Sequence, residues 1–173
     1  MSRVPHCPCA RSRSWSGVSC EAGYVSKVDP YDFAWEGSTH LLVLTDFMRT
    51  DGETYIAGLA KIHDKDLRGV MAFIPSGVGL TGWIAPTKRN NTYIAVYLDP
   101  AKVPADLDEP SPRVELEPVV HFRDGAISST IAQLAALLDE ASPCSVYAET
   151  LGLLLGIEIC RAHQRLSRAV PQR

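Results

Sequence analysis

The sequence predicts a mainly β domain, a small barrel or sandwich, closed by two C-terminal helices. Two observations carry this. From Tyr24 to Phe122 short apolar stretches alternate with polar residues at period two and are separated by Gly, Pro, Asn and Asp turn formers. After Asp124 the apolar period changes to that of a helix.

The stretch around which the rest is organised is Leu67–Trp83, LRGVMAFIPSGVGLTGW. Val70, Ala72 and Ile74 alternate with Met71 and Phe73, as in a strand covered on both faces. Pro75-Ser76-Gly77 breaks that strand, because proline lacks a donor and glycine accepts a positive φ. Gly79 and Gly82 permit close backbone approach ahead of Trp83.

Before this hairpin, residues 1–19 are basic, Ser-rich and free of acids, and read as a disordered leader. Pro5 and Pro8 obstruct the amphipathic helix that a transit peptide would need. His6, Cys7, Cys9 and Cys20 are soft donors, but the Cys-Pro-Cys spacing is tighter than zinc sites use and a second ligand pair is missing. Residues 20–122 are assigned to the β domain. Val25-Ser26-Lys27-Val28 alternates up to the Asp29-Pro30 turn, and His40–Met48 is a strong buried strand. Asp51-Gly52 reads as a type I′ hairpin turn, returning Glu53–Ile56 as a partner strand. Pro86 and Asn90-Asn91 mark a loop. In Thr92–Leu98, Tyr93, Ala95 and Tyr97 share one face and Ile94, Val96 and Leu98 the other. Ala101–Pro112 is an acidic, proline-rich connection, and Val114–Phe122 an irregular edge strand restricted by Pro118.

Residues 123–168 form the two-helix segment, with 169–173 as a tail. Asp124 caps a first helix with Ile127, Ile131, Leu134 and Leu138 at helical spacing. Ser142 and Pro143 start the second as N-cap and N1. Its apolar residues cover more than one stripe, and Gly152 and Gly156 lie one turn apart. This predicts a homodimer through the second helix, with Leu151, Gly152, Leu155, Gly156 and Ile159 at the interface. The competing explanation for the glycines is tight packing within one chain.

The segments GVMAFIPSGVGLTGW, TYIAVYLDP and YAETLGLLLGIEICRAHQ together resemble the amino-terminal half of AraC/XylS-type transcriptional regulators, over about Trp15 to Leu166. The resemblance implies a cupin-like β-barrel or jelly roll followed by an antiparallel helix pair, which senses a small-molecule effector or mediates dimerisation. DNA is bound in that family by a separate pair of helix-turn-helix units. The residues after Leu166 are too few to hold one, so DNA contact is expected only through a domain absent from this chain, as in a truncated regulator.

Cupin enzymes hold a metal through a His-rich first motif and a later His. Here His40 and Glu53 are loosely placed for it, no His-x-His occurs, and Val78, Gly79 and Leu80 follow the Pro-Ser-Gly turn. No metal, cofactor or enzymatic activity is therefore expected. The alternative is a small cupin-type metalloenzyme or a non-regulatory small-molecule-binding barrel. His63, His121 and His163 read as surface or capping residues, and Cys144, near a helix N-terminus, has no base marked beside it. No nucleophile elbow, P-loop or dinucleotide fingerprint is present.

What remains is a binding cavity, for which His40, Tyr55, Phe73, Trp83, Tyr93 and Tyr97 are the candidates, since aromatic rings offer apolar surface with a polar tip. Both faces of several strands are apolar, so the sequence leaves open which parity faces inward, and a filled core is the competing expectation. Bulk properties agree: 46% apolar and 21% charged residues are those of a globular domain, and a net charge of −3 gives no reason to expect nucleic-acid binding by this chain. No apolar run suggests a membrane span, and five cysteines without a signal peptide fit a reducing cytoplasm.

Overall fold

The computed structural model describes residues 10–25, 29–103 and 116–169, with side chains to residue 165. Cys7, Cys9 and most of the acidic connection lie outside the described residues.

Among the described residues there are eight antiparallel strands and two long helices: β1 Arg11–Trp15, β2 Val18–Val25, β3 Tyr31–Trp35, β4 His40–Ile56, β5 Asp66–Ile74, β6 Leu80–Pro86, β7 Asn91–Leu98, β8 Val119–Phe122, α1 Gly125–Ala136 and α2 Ser145–Ala169. The strands run β1-β2-β7-β4-β5-β8, and β6 pairs with both β3 and β4.

β4 is the hinge of this arrangement. Its first part, His40–Met48, pairs with β5 and β7. Its second, from Arg49 to Ile56, pairs with β6. The Asp51-Gly52 hairpin predicted from the sequence is therefore a bend inside one 17-residue strand. Gly52 has φ +149°, and a Cβ there would stand 2.6 Å from the carbonyl oxygen of Trp83, so the residue serves a corner between two layers rather than a reversal. Buried Arg49 fixes that corner: its guanidinium donates to the carbonyl of Asp64 (2.7 Å), the carbonyl of Ile62 (3.1 Å) and Oγ1 of Thr54 (3.3 Å). Asn91, also buried, accepts the Met48 N–H at 2.7 Å and donates to the Thr87 carbonyl.

Residues 10–19 differ from the expected disordered leader, the first nine lying outside the described residues. Residues 11–15 form β1, an edge strand paired along its length with β2 through the tight turn at Ser16-Gly17, where Gly17 has φ +81°. Alternating Arg and Ser suit an edge strand open to water. The second helix begins at Ser145 rather than Pro143.

Period-two alternation gives the larger sheet two apolar faces. On one, Val18, Cys20, Leu42, Phe73, Val96 and Leu98 pack against α1 and α2. Ile127, Ile131 and Leu134 of α1 and Leu151, Leu155 and Ile159 of α2 complete this core. Each such residue fully buried contributes about 1.5–3 kcal/mol. Asp124 caps α1 as predicted, accepting from the N–H groups of Ala126 and Ile127. On the other face, Leu41, Ile74 and Ala95 meet Trp35 and Ile56 of the smaller layer. Between those two layers the packing is incomplete.

Candidate ligand-binding cavity

The gap is a cavity of about 330 Å³, at the lower end of the ~300–1,000 Å³ typical of small-molecule sites. On β4 and β7 the lining residues follow strand parity. Leu41, Val43, Thr45 and Phe47 of β4 line it, as do Tyr93, Ala95 and Tyr97 of β7. Phe33 and Trp35 of β3, with Leu80 and Ile84 of β6, form the opposite wall. Among the described residues no Asp, Glu, Lys or Arg lines it.

Polar accents are few and mostly committed. Thr45 Oγ1 donates to backbone carbonyls of β5, at 2.7 Å to Leu67. The Tyr93 hydroxyl donates to Glu21 at 2.5 Å, and Gly23, whose missing Cβ would lie 3.0 Å from the ring, leaves Tyr93 room to lie across β2. Tyr97 is different. Its hydroxyl makes no hydrogen bond among the described residues. Burial first, then the negative charge of Glu21 and of ionised Cys20, push its pKa up to about 12, so it stays a neutral O–H donor.

Of the six aromatic candidates read from the sequence, Tyr93 and Tyr97 line the cavity and four do not. Phe73 shares a face with Met71 and packs into the core beneath the helices. His40 lies on the same side as Leu42: its ring is buried 5.5 Å from Phe73, and Nδ1 accepts the Ser76 N–H at 3.0 Å. It therefore pins the Pro-Ser-Gly turn. Burial lowers its pKa, against a weaker opposing pull from Asp99. Trp83 and Tyr55 stand on the outward parity of β6 and β4, opposite to Ile84 and Ile56. Tyr55 is 40% exposed and meets Glu53 and Lys61 at the surface.

Leu151, Gly152, Leu155, Gly156 and Ile159 are all buried within the chain's own core, so they are not available as the interface predicted for them. The Gly152 backbone passes Val18 of β2. The apolar residues α2 turns outward are Val146, Tyr147, Leu153 and Leu154.

His121 was missed as a site residue: its sequence context, at the end of an irregular strand, carries no signal of a cavity position. It lines the cavity, with Nδ1 3.3 Å from Oδ2 of Asp64. His163, read as a surface or capping residue, is buried, and its Nδ1 lacks a hydrogen-bond partner. Among the described residues no group of three or more His, Cys, Asp or Glu converges as a metal site would require. No helix among them is long and apolar enough to cross a membrane.

No protein-family model matches the sequence, and no curated protein matches it. Solved structures with partial likeness include the EutQ protein of Clostridium difficile, at 15% identity and TM-score 0.35 over 49% of this chain and 58% of that one. A candidate mannose-6-phosphate isomerase from Ralstonia eutropha matches at 12% identity and TM-score 0.39, over 54% of this chain and 88% of that one. A Bacillus subtilis oxalate decarboxylase variant matches at 12% identity and TM-score 0.35, over 48% of this chain and 21% of its own length. Likeness at this level identifies neither a family nor an activity.

Proposed function

We propose that this chain is a cupin-like β-barrel that binds a small apolar molecule and serves as the sensing and dimerisation half of a transcriptional regulator. The observation that carries the reading is the cavity: apolar on both walls, without a charged side chain among the described residues that line it, and provided with a Tyr97 hydroxyl that makes no hydrogen bond among them. Such a site suits binding and orientation of one compact, largely apolar or aromatic ligand. Regulation would follow by linkage. A ligand that favours one state of the sheet biases α1 and α2, which rest on the opposite face of the strands that line the cavity. Dimerisation would use the outward face of α2, through Val146, Leu153 and Leu154, and any operator contact would fall to a separate helix-turn-helix unit.

The test is a thermal-shift screen of aromatic acids, phenols, sugars and amino-acid metabolites, with metal analysis of the same purified protein. A ligand at a hundred times its Kd adds about 2.7 kcal/mol and raises Tm by several degrees. Stabilisation by a compact aromatic compound supports the reading. Stoichiometric iron, manganese, nickel or zinc, with activity dependent on it, would replace it by an enzyme.

A further inference from the structure

Among the described residues one imidazole, that of His121, lines the cavity, and the backbone is distorted to put it there. β8 pairs with β5 at Phe122↔Met71 and Val119↔Phe73, so three steps along β8 match two along β5. The extra residue is a bulge on an edge strand, and His121 inside it has φ +56°, the left-handed region that L-residues rarely adopt. The consequence is visible in the faces. Val120 and His121, adjacent in sequence, both line the cavity, whereas a regular strand would send them to opposite sides. Phe122 turns to the helix side and packs on that core.

The imidazole is also oriented from behind. Its Nδ1 faces the Asp64 carboxylate at 3.3 Å. The backbone of Asp64 is in turn held by buried Arg49, whose Nε donates to its carbonyl at 2.7 Å. With the ring neutral and its proton on Nδ1, the nitrogen that faces Asp64, Nε2 is left as an acceptor. A ligand carboxylate would meet the negative charge of Asp64 close behind the ring, which disfavours it. A ligand hydroxyl would find an acceptor.

Resting on the cavity reading above, we propose that His121 is the polar anchor of the site and selects compact apolar ligands ending in a hydroxyl, phenols or alcohols, whose O–H donates to Nε2. Strain at φ +56° in an edge bulge is the kind of local distortion that persists where a side chain must be re-aimed.

The experiment is calorimetric titration of the full chain at pH 7.5 with 4-propylphenol, propylbenzene and 4-propylbenzoate. Wild type binds the phenol roughly five- to tenfold more tightly than the hydrocarbon, the effect of one sheltered hydrogen bond, and the benzoate no more tightly than the hydrocarbon. His121→Gly, which accepts the positive φ without strain, loses the preference, so that phenol and hydrocarbon bind within about twofold of each other. Equal binding of phenol and hydrocarbon by wild type, tighter binding of the benzoate, or a phenol preference that survives in His121→Gly overturns the proposal while leaving the cavity reading standing. If none of the three compounds binds wild type at millimolar concentration, the cavity reading itself fails, and this inference with it.

Discussion

A Cβ built on Gly152 of α2 would stand 2.7 Å from the Cβ of Val18 on β2, so the helix seats on the sheet only because that residue has no side chain. Gly152→Ala gains about 1 kcal/mol of helix propensity but must push β2 and α2 apart, at a cost of about 1–3 kcal/mol for overpacking. The expected outcome in urea unfolding is a net loss of stability. Leu155→Asp goes further: the side chain is fully buried, and an unpaired carboxylate there unfolds the chain rather than yielding a folded monomer.

Dimerisation, if mediated by α2, has to use the other side of the helix. Val146 is 72% and Leu153 48% exposed, on the stripe opposite Leu151 and Leu155. Leu153→Glu is expected to leave Tm nearly unchanged and to convert a dimer to a monomer in sedimentation at tens of micromolar. A wild-type protein that sediments only as a monomer would contradict the dimer.

His40 makes stability depend on pH in one direction. Its folded pKa is lowered from about 6.5, chiefly by burial, and the Ser76 N–H bond requires an unprotonated Nδ1. The folded state thus binds fewer protons than the unfolded chain below about pH 6.5, and the contribution, complete above that pH, is lost as pH falls toward the folded pKa. His40→Asn, which keeps an acceptor near Nδ1 but does not titrate, should show a flatter Tm between pH 7 and pH 5. An identical slope in both proteins would remove His40 from the acid response.

The cysteines separate by burial. Cys20 is 1% exposed, and burial, then Glu21, push its thiol up to about 12. Cys144 is exposed at the start of α2. At pH 8 the thiolate of Cys20 is nearly absent, so a maleimide reagent followed by peptide mapping should modify Cys144 in the native protein and Cys20 only after denaturation. Native labelling of Cys20 would mean that the helices lift from the sheet.

Local patterns made much of this architecture legible. The alternation in Thr92–Leu98 identified Tyr93, Ala95 and Tyr97 as one face, and these residues line the cavity together. Asp124 and the spacing Ile127, Ile131, Leu134 gave the first helix and its buried side. The failures share a cause, which is that parity is local while the partner of a face is not. Nothing in HLLVLTDFM tells which of Leu41 or Leu42 meets a helix, and His40 and Phe73 lie across the sheet from the cavity. Asp51-Gly52 carries the residues of a hairpin, yet the available partner was β6 and the same glycine made a corner. β1 is not legible in the sequence because an edge strand of Arg and Ser has the composition of a loose tail. His121 reaches the cavity only through a bulge set by its register against β5.

The account rests on empty space between the two layers being a binding site, and Ala72 gives direct access to it. This residue lines the cavity from β5, so Ala72→Phe puts a ring into the void instead of displacing packed atoms. Calorimetric titration of wild type and Ala72→Phe with 4-propylphenol is the decisive comparison, with a thermal melt of each. The account predicts saturable one-to-one binding by wild type, at least a tenfold loss in Ala72→Phe, and a variant Tm that does not fall. Equal affinity in the two proteins, or no binding by wild type, would contradict it.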